Sequence, residues 1–156
     1  MLGAEDIRLA TVDDAEAIGR LLHDFNREFE EPITPDPDWL AQRIAVLMDG
    51  GDTDVLLAGD GPHGLAVMRY QRSIWTVGLE CYLAELYVVP SERGHGLGRA
   101  LMEAAMVRAR ERGGDYMLLG TSETDTAARA LYERLGFVNR ERPPDGPLMY
   151  FYEREL

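Results

Sequence analysis

The stretch Leu86-Tyr87-Val88-Val89-Pro90-Ser91-Glu92-Arg93-Gly94-His95-Gly96-Leu97-Gly98-Arg99 constrains this chain more than any other. Its first residues are apolar and β-branched, as a strand requires, and Pro90 ends the strand because it has no N–H for a ladder. Gly94, Gly96 and Gly98 then allow torsion angles that bulkier residues resist and let another molecule approach the backbone closely. Behind them Leu97, Leu101, Ala104 and Ala105 recur at helical spacing. A strand therefore turns sharply through glycines into a helix, and the free N–H groups of that helix end attract anions, phosphates above all.

Two common phosphate loops are excluded. A nucleotide-triphosphate loop needs Gly-Lys-Ser/Thr, and the chain contains no lysine. A dinucleotide fingerprint needs G-x-G-x-x-G/A, whereas the glycines here run G-x-G-x-G and Arg99 stands at the third fingerprint position counted from Gly94. A second pattern lies downstream, Ala128-Arg129-Ala130-Leu131-Tyr132-Glu133-Arg134-Leu135-Gly136-Phe137. Leu131 suits the apolar face of a helix. Tyr132 keeps a hydroxyl that needs a partner when buried.

Around these stretches the chain reads as alternating strands and helices. Ile7 and Leu9 bound a short strand, and Thr11-Val12-Asp13-Asp14 has capping chemistry before a helix carrying Ala15, Ile18, Leu21, Leu22 and Phe25. Residues 26–38 combine Glu28, Glu30, Glu31, Asp36 and Asp38 with Pro32, Pro35 and Pro37, which break regular structure. A second helix stacks Leu40, Ile44 and Leu47 and closes at Gly50-Gly51. Strands near residues 55–58 and 65–70 join through Gly59-Asp60-Gly61-Pro62. Trp75, between strands, suits either a core position or a ligand cover. A strand over about 81–89 enters the glycine loop, and a helix runs on to about Arg112 before Gly113-Gly114. The strand at 116–119 then implies a parallel pair with a right-handed crossover. A helix from Thr126 ends at Gly136. Strands are expected at Phe137-Val138 and over 148–153.

At 156 residues the expectation is a single domain, residues 1–156. Cys81 is the one cysteine, so there is no intramolecular disulfide, and with His23, His63 and His95 scattered no metal-ligand spacing exists. No signal-like or membrane-length apolar segment is present, and the expected location is cytoplasmic. A net charge of −12 argues against nucleic acid or anionic membrane as a partner. It suits a cationic partner, although an acidic surface has the same composition.

Arg93-x-x-Gly96-x-Gly98 after Val-Val-Pro resembles the coenzyme A pyrophosphate loop of the GNAT N-acetyltransferase superfamily, and A-x-x-L-Y-x-x-x-G-F at 128–137 resembles that family's other signature. The resemblance implies an α/β (α+β) fold: a central mixed, mostly antiparallel sheet with a splayed parallel pair, flanked by about four helices. It implies acetyl-CoA as co-substrate, no metal, and direct transfer of acetyl to a primary amine. Main-chain groups of Leu86, Tyr87, Val88 and Val89 would line pantetheine and polarise the thioester. The turn Arg93, Gly94, His95, Gly96, Leu97, Gly98 and Arg99 would hold pyrophosphate through N–H groups, with Arg93 or Arg99 adding charge.

Asp125 and Ala128 would complete the cofactor site. The family often has asparagine where Asp125 stands, and aspartate cannot donate an N–H. Tyr132 would protonate the leaving thiolate. The resemblance also matches Glu85 to a glutamate that serves as general base directly or through water, and a solvated or arginine-paired carboxylate is its bland reading; Glu80 is the alternative base. Simple alternation places Glu85 with Cys81, Leu83, Tyr87 and Val89, unless a bulge intervenes. Residues 28–38 would form the acceptor wall, for a small cationic amine such as an aminoglycoside or polyamine, or else a peptide amine. Other readings are a solvated loop, a different acyl-CoA donor, or a non-catalytic acyl-CoA sensor. Relatives often dimerise, and Met149-Tyr150-Phe151-Tyr152 suits either an interface strand of a homodimer or ordinary core.

Overall fold

A five-stranded sheet in the order β1-β2-β3-β4-β5 organises the larger part of the chain. The computed structural model describes residues 3, 6–29 and 31–156; Glu30 of the acidic loop lies outside the described residues. Two compact units result, residues 1–119 and 120–156. The first contains β1 (Ile7–Leu9), α1 (Ala15–Glu28), α2 (Pro37–Asp49), β2 (Thr53–Ala58), β3 (Gly64–Arg72), β4 (Leu79–Val88), α3 (Leu97–Glu111) and β5 (Gly114–Leu118). The second contains α4 (Thr126–Arg134).

Strands β1 to β4 pair antiparallel, and β4 pairs β5 in parallel. Both faces of the sheet are covered, so every residue of β2 is buried. On one face Val55, Leu57, Leu65, Val67 and Tyr87 meet Ile18 and Leu21 of α1 and Ile44 of α2. A Cβ added to Gly19 would lie 2.5 Å from the Pro37 carbonyl and 2.7 Å from the Ala41 nitrogen. Hence α1 and α2 cross with their backbones nearly touching. On the other face α3 lies across β2, β3, β4 and β5 and buries Leu101, Met102, Ala105 and Ala109.

That second interface holds a buried charge cluster absent from the sequence reading. Asp54 accepts from Arg108 Nε at 2.8 Å and from the Tyr70 hydroxyl at 3.2 Å, and its other oxygen lies 3.3 Å from Arg112 Nη1. The Arg112 guanidinium stacks 4.2 Å from the Tyr70 ring centroid and donates to the Gly51 carbonyl. Burial pushes the Asp54 carboxyl up, but the hydrogen bonds and charges of Arg108 and Arg112 outweigh it and hold it below the usual aspartate range.

In unit 120–156 the two expected strands do not form. Residues 137–141 and 147–153 are connected by one isolated bridge, Arg140 to Leu148, made by the Met149 N–H donating to the Asn139 carbonyl at 2.8 Å and the Glu141 N–H donating to the Pro147 carbonyl at 3.0 Å. Pro147 has no N–H to extend that ladder. Tyr150, Phe151 and Tyr152 are 74%, 68% and 87% exposed, so the core reading of this run fails. Trp75, at 87% exposed on the β3–β4 turn, is not core either.

Candidate active site

The central strand carries the first feature of the site. Strand β4 pairs β5 only from Leu79 to Tyr82. Among the described residues no strand continues on that side along Leu83 to Val88, so the parallel pair opens as a wedge with alternate main-chain groups facing the gap. On its other side β4 stays paired to β3, and the Val89 N–H donates to the His63 carbonyl at 2.9 Å.

A bulge decides which side chains face the helices. Val67 pairs with Glu85 while Met68 pairs with Leu83, leaving Ala84 as the extra residue. Before the bulge, Cys81 and Leu83 are buried beside Tyr70 and Met68 on the α3 face. After it, Glu85 and Tyr87 share the face of Val67 and Leu65, toward α1 and α2. Simple alternation had grouped Glu85 with Cys81 and Leu83; the bulge separates them and brings Glu85 onto the same face as Glu80 and Tyr82. Burial, and then the nearby Glu31 carboxylate, raise the Glu85 carboxyl above the usual glutamate range. Glu80 differs: it is partly exposed and accepts from Gln71 Nε2 at 2.9 Å. Cys81 is fully buried, and burial pushes its thiol up to about 11 despite the hydrogen bond with Tyr70, so it is not an activated nucleophile.

After β4, a short 3-10 turn (Pro90–Glu92) leads into the glycines. Its bonds use the N–H groups of Glu92, to Val89, and of Arg93, to Pro90 at 3.3 Å. Gly94 and Gly96 have φ of +82° and +83°, a region that favours glycine, and a Cβ on either would meet nothing within 4 Å. Conformation, not crowding, therefore requires these two glycines. The first later N–H with a backbone acceptor is that of Ala100, donating to Gly96 at 3.0 Å. Those of Gly94, His95, Gly96, Leu97, Gly98 and Arg99 have no backbone acceptor among the described residues, and no side chain caps α3. This row of aligned donors at the end of a 15-residue helix fits a diphosphate.

The two arginines of the turn behave differently. Arg99 pairs with Glu103 one helical turn on, at 2.9 Å, in an exposed position. Arg93 turns back toward the sheet: Nε donates to the Val88 carbonyl at 2.8 Å and Nη2 lies 2.8 Å from both carboxylate oxygens of Glu28. Glu28 also accepts from the Tyr87 hydroxyl at 3.3 Å. The carboxylate that sequence reading assigned to the acceptor wall is therefore already partnered within the protein. Its partner, 65 positions away, had no local signal.

Unit 120–156 carries the second motif. Asp125 caps α4 by accepting from the Ala128 N–H at 3.1 Å, so both expected cofactor residues meet in one capping bond. Tyr132 is 9% exposed, its ring edge-on to Phe137 at 6.0 Å. Its hydroxyl makes no hydrogen bond among the described residues. Burial, and then the charge of Asp125, push this phenol up to about 12, so it stays protonated at neutral pH.

The wedge, the bulged strand and the glycine turn lie in sequence along one strand and the start of the next helix, at the positions of the first sequence motif. The sequence profile of the acetyltransferase (GNAT) family matches residues 18–137. A mycothiol acetyltransferase of Thermobispora bispora is 36% identical over 83% of this chain, which spans only 39% of that relative's length. A streptothricin acetyltransferase of Streptomyces lavendulae is 31% identical over 85% of the chain and 81% of its own length. A crystal structure of a protein assigned as an acetyltransferase, from Arthrobacter sp. FB24, superposes with a TM-score of 0.86 at 45% identity, covering 96% of this chain and 95% of that one. The chain belongs to the GNAT acetyltransferase family. Among the described residues, no helix is long and apolar enough to cross a membrane, and no group of three His, Cys, Asp or Glu side chains converges to hold a metal.

Proposed function

We propose that this protein is an N-acetyltransferase that moves acetyl from acetyl-CoA to a primary amine of a small, cationic acceptor. The observation that carries the reading is the uninterrupted row of free N–H groups from Gly94 to Arg99, directly beyond the unpaired edge of β4. Acetyl-CoA would supply an activated acetyl thioester. The turn would hold its diphosphate through main-chain donors, and the Leu86, Tyr87 and Val88 backbone would run alongside pantetheine. A main-chain N–H in the wedge would stabilise the carbonyl oxygen as it gains charge.

Glu85 is the group proposed to take the proton of the attacking amine. Its raised carboxyl brings its basicity nearer to the working pH, which is what general-base catalysis favours. Two expected effects of Glu85→Gln follow. The acid limb of the kcat/KM profile, lying above the usual glutamate range in the native enzyme, disappears, and kcat falls by about tenfold, less than for an obligatory base because water can relay the proton.

Stability changes in the opposite sense. The folded pKa exceeds the unfolded one, so ionised Glu85 costs stability once pH rises through the folded value, and that cost is absent below the usual glutamate range. The Gln variant should therefore melt higher than native protein at pH 8 and equally at about pH 3. A lower melting point at pH 8 would reject a strained carboxylate.

A cationic acceptor is favoured by the carboxylates gathered near the wedge face. Glu31 lies close enough to raise Glu85, Glu80 shares the Glu85 face, and the chain as a whole carries −12. The streptothricin acetyltransferase relative is consistent with a small-molecule acceptor. The test is release of free coenzyme A across a panel of polyamines, aminoglycosides, peptide N-termini and neutral amines, using native protein and Glu31→Gln. Turnover with the polycations is expected, with their KM raised about threefold in the variant and that for acetyl-CoA unchanged. No turnover with any amine, by protein that binds acetyl-CoA, would remove the catalytic reading; equal KM values would remove the acidic wall.

A further inference from the structure

The proposed cofactor turn is tied to α1 by an arrangement whose chemistry assigns Arg93 a different task from the one its motif position suggests. We propose that Glu28, Tyr87 and Arg93 form a brace that fixes the phosphate-binding turn against α1 and the end of β4, with Glu28 and Arg93 acting as positioning residues. The inference rests on the reading of that turn as a diphosphate site.

The guanidinium is held on three sides. Nε donates to the Val88 carbonyl and Nη2 to the Glu28 carboxylate, each at 2.8 Å, and the cation sits 5.6 Å from the Tyr87 ring centroid. Tyr87, in turn, is 5% exposed, packs against Phe25 of α1 at 4.9 Å between centroids, and donates its hydroxyl to Glu28. The brace thus runs from an aromatic pair of buried Tyr87 and half-buried Phe25, through a carboxylate at the C-terminus of α1, to the first residue after the 3-10 turn. A planar fork suits this task because it can donate in two directions while its face lies on a ring.

The free donors of Gly94 to Arg99 need a fixed backbone more than they need another charge. These residues have few anchors of their own: two carry positive φ with open space around them, and only the Glu92 and Arg93 N–H groups of the preceding turn are bonded. A brace at Arg93 limits the loop's freedom before any ligand arrives, which reduces the ordering cost of binding.

An alternative assignment predicts the reverse sign. Were Arg93 a phosphate ligand restrained by Glu28, removing the carboxylate would release the cation and tighten coenzyme A. Calorimetry with coenzyme A on the full chain distinguishes the two, comparing native protein with Glu28→Gln, Arg93→Met, Arg93→Lys and the Glu28→Gln/Arg93→Met pair. Under the brace, both single removals weaken binding by about fivefold, the upper range for a partly exposed ion pair. The double variant loses no more than the weaker-binding single, and lysine does not restore affinity because one ammonium cannot reproduce the fork. The salt dependence of binding stays as in native protein, since no phosphate contact is removed.

Amide exchange in ligand-free protein supplies a second readout: the Glu92 and Arg93 N–H groups should exchange faster in both single variants. Tighter coenzyme A binding by Glu28→Gln, additive losses, or unchanged exchange would overturn the proposal. Native protein that binds no coenzyme A at all would instead overturn the cofactor reading, while the exchange measurement would still decide the brace.

Discussion

Replacing Tyr132 by phenylalanine is expected to lower kcat by about 10²-fold while leaving coenzyme A affinity within twofold. The phenol is buried, its hydroxyl has no hydrogen-bond partner among the described residues, and its pKa is pushed up to about 12 by burial and by Asp125. It is thus a reliable donor at neutral pH but a weak acid. Full proton transfer from it to a departing thiolate, whose conjugate acid has a pKa of about 8.5, would run uphill, so the contribution proposed for this phenol is a hydrogen bond to developing charge. The expected loss therefore lies at the lower end of the general-acid range of about 10² to 10⁴. Removing one hydroxyl leaves the ring against Phe137, and the variant should fold normally. Unchanged kcat would exclude the phenol from the chemistry, and an unchanged cellular role with no turnover would favour an acyl-CoA sensor.

The largest effect on stability is expected at Asp54. Its carboxylate is 8% exposed and holds Arg108 and Arg112 of the α3 helix and its C-terminal turn, together with the Tyr70 hydroxyl. Asp54→Ala removes the buried carboxylate that neutralises both cations, leaving, among the described residues, Arg108 only Glu111 at 3.8 Å and Arg112 only the Gly51 carbonyl and the Tyr70 ring. Breaking a buried pair costs about 3–5 kcal/mol, and partial exposure of both guanidinium groups reduces this to about 3 kcal/mol. The melting temperature should then fall by about 6–12 °C.

The pH dependence supplies a sharper signature. The folded Asp54 pKa lies below its unfolded value, so its contribution is complete above the usual aspartate range and is lost as pH falls through the folded value. The gap between native protein and Asp54→Asn should accordingly begin to narrow below about pH 4 and close once pH has fallen past the folded value. A gap that persists in strong acid would show that packing, not charge, sets the effect. Neither variant should alter the relative rates on different amines, because the cluster lies on the α3 face and Glu85 on the opposite one.

The backbone of the candidate site is legible in local chemistry. Val88, Val89 and Pro90 end a strand by themselves, and Gly94 and Gly96 enforce left-handed backbone at positions where no packing demands a small residue. The heptad-like recurrence of Leu97, Leu101, Ala104 and Ala105 identifies the helix behind them, and the structure finds Leu97 and Leu101 buried. By contrast the two strands expected at the C-terminus do not form. The run Met149-Tyr150-Phe151-Tyr152 has strand propensity, but propensity without a ladder partner does not make a strand, and one bridge is all that forms.

What the sequence determined unaided was the order of elements as far as α4, the turn that frees a helix N-terminus, and the two signatures that relate the chain to its family, because each depends on residues within one or two turns of one another. Tertiary structure decided the rest. The extra residue at Ala84 moves Glu85 across the sheet, and pairing over distance consumes Glu28 and Arg93 and gathers Asp54 with Arg108 and Arg112. Register and long-range charge pairing are set by what lies opposite in space, and adjacency in the chain carries no record of it.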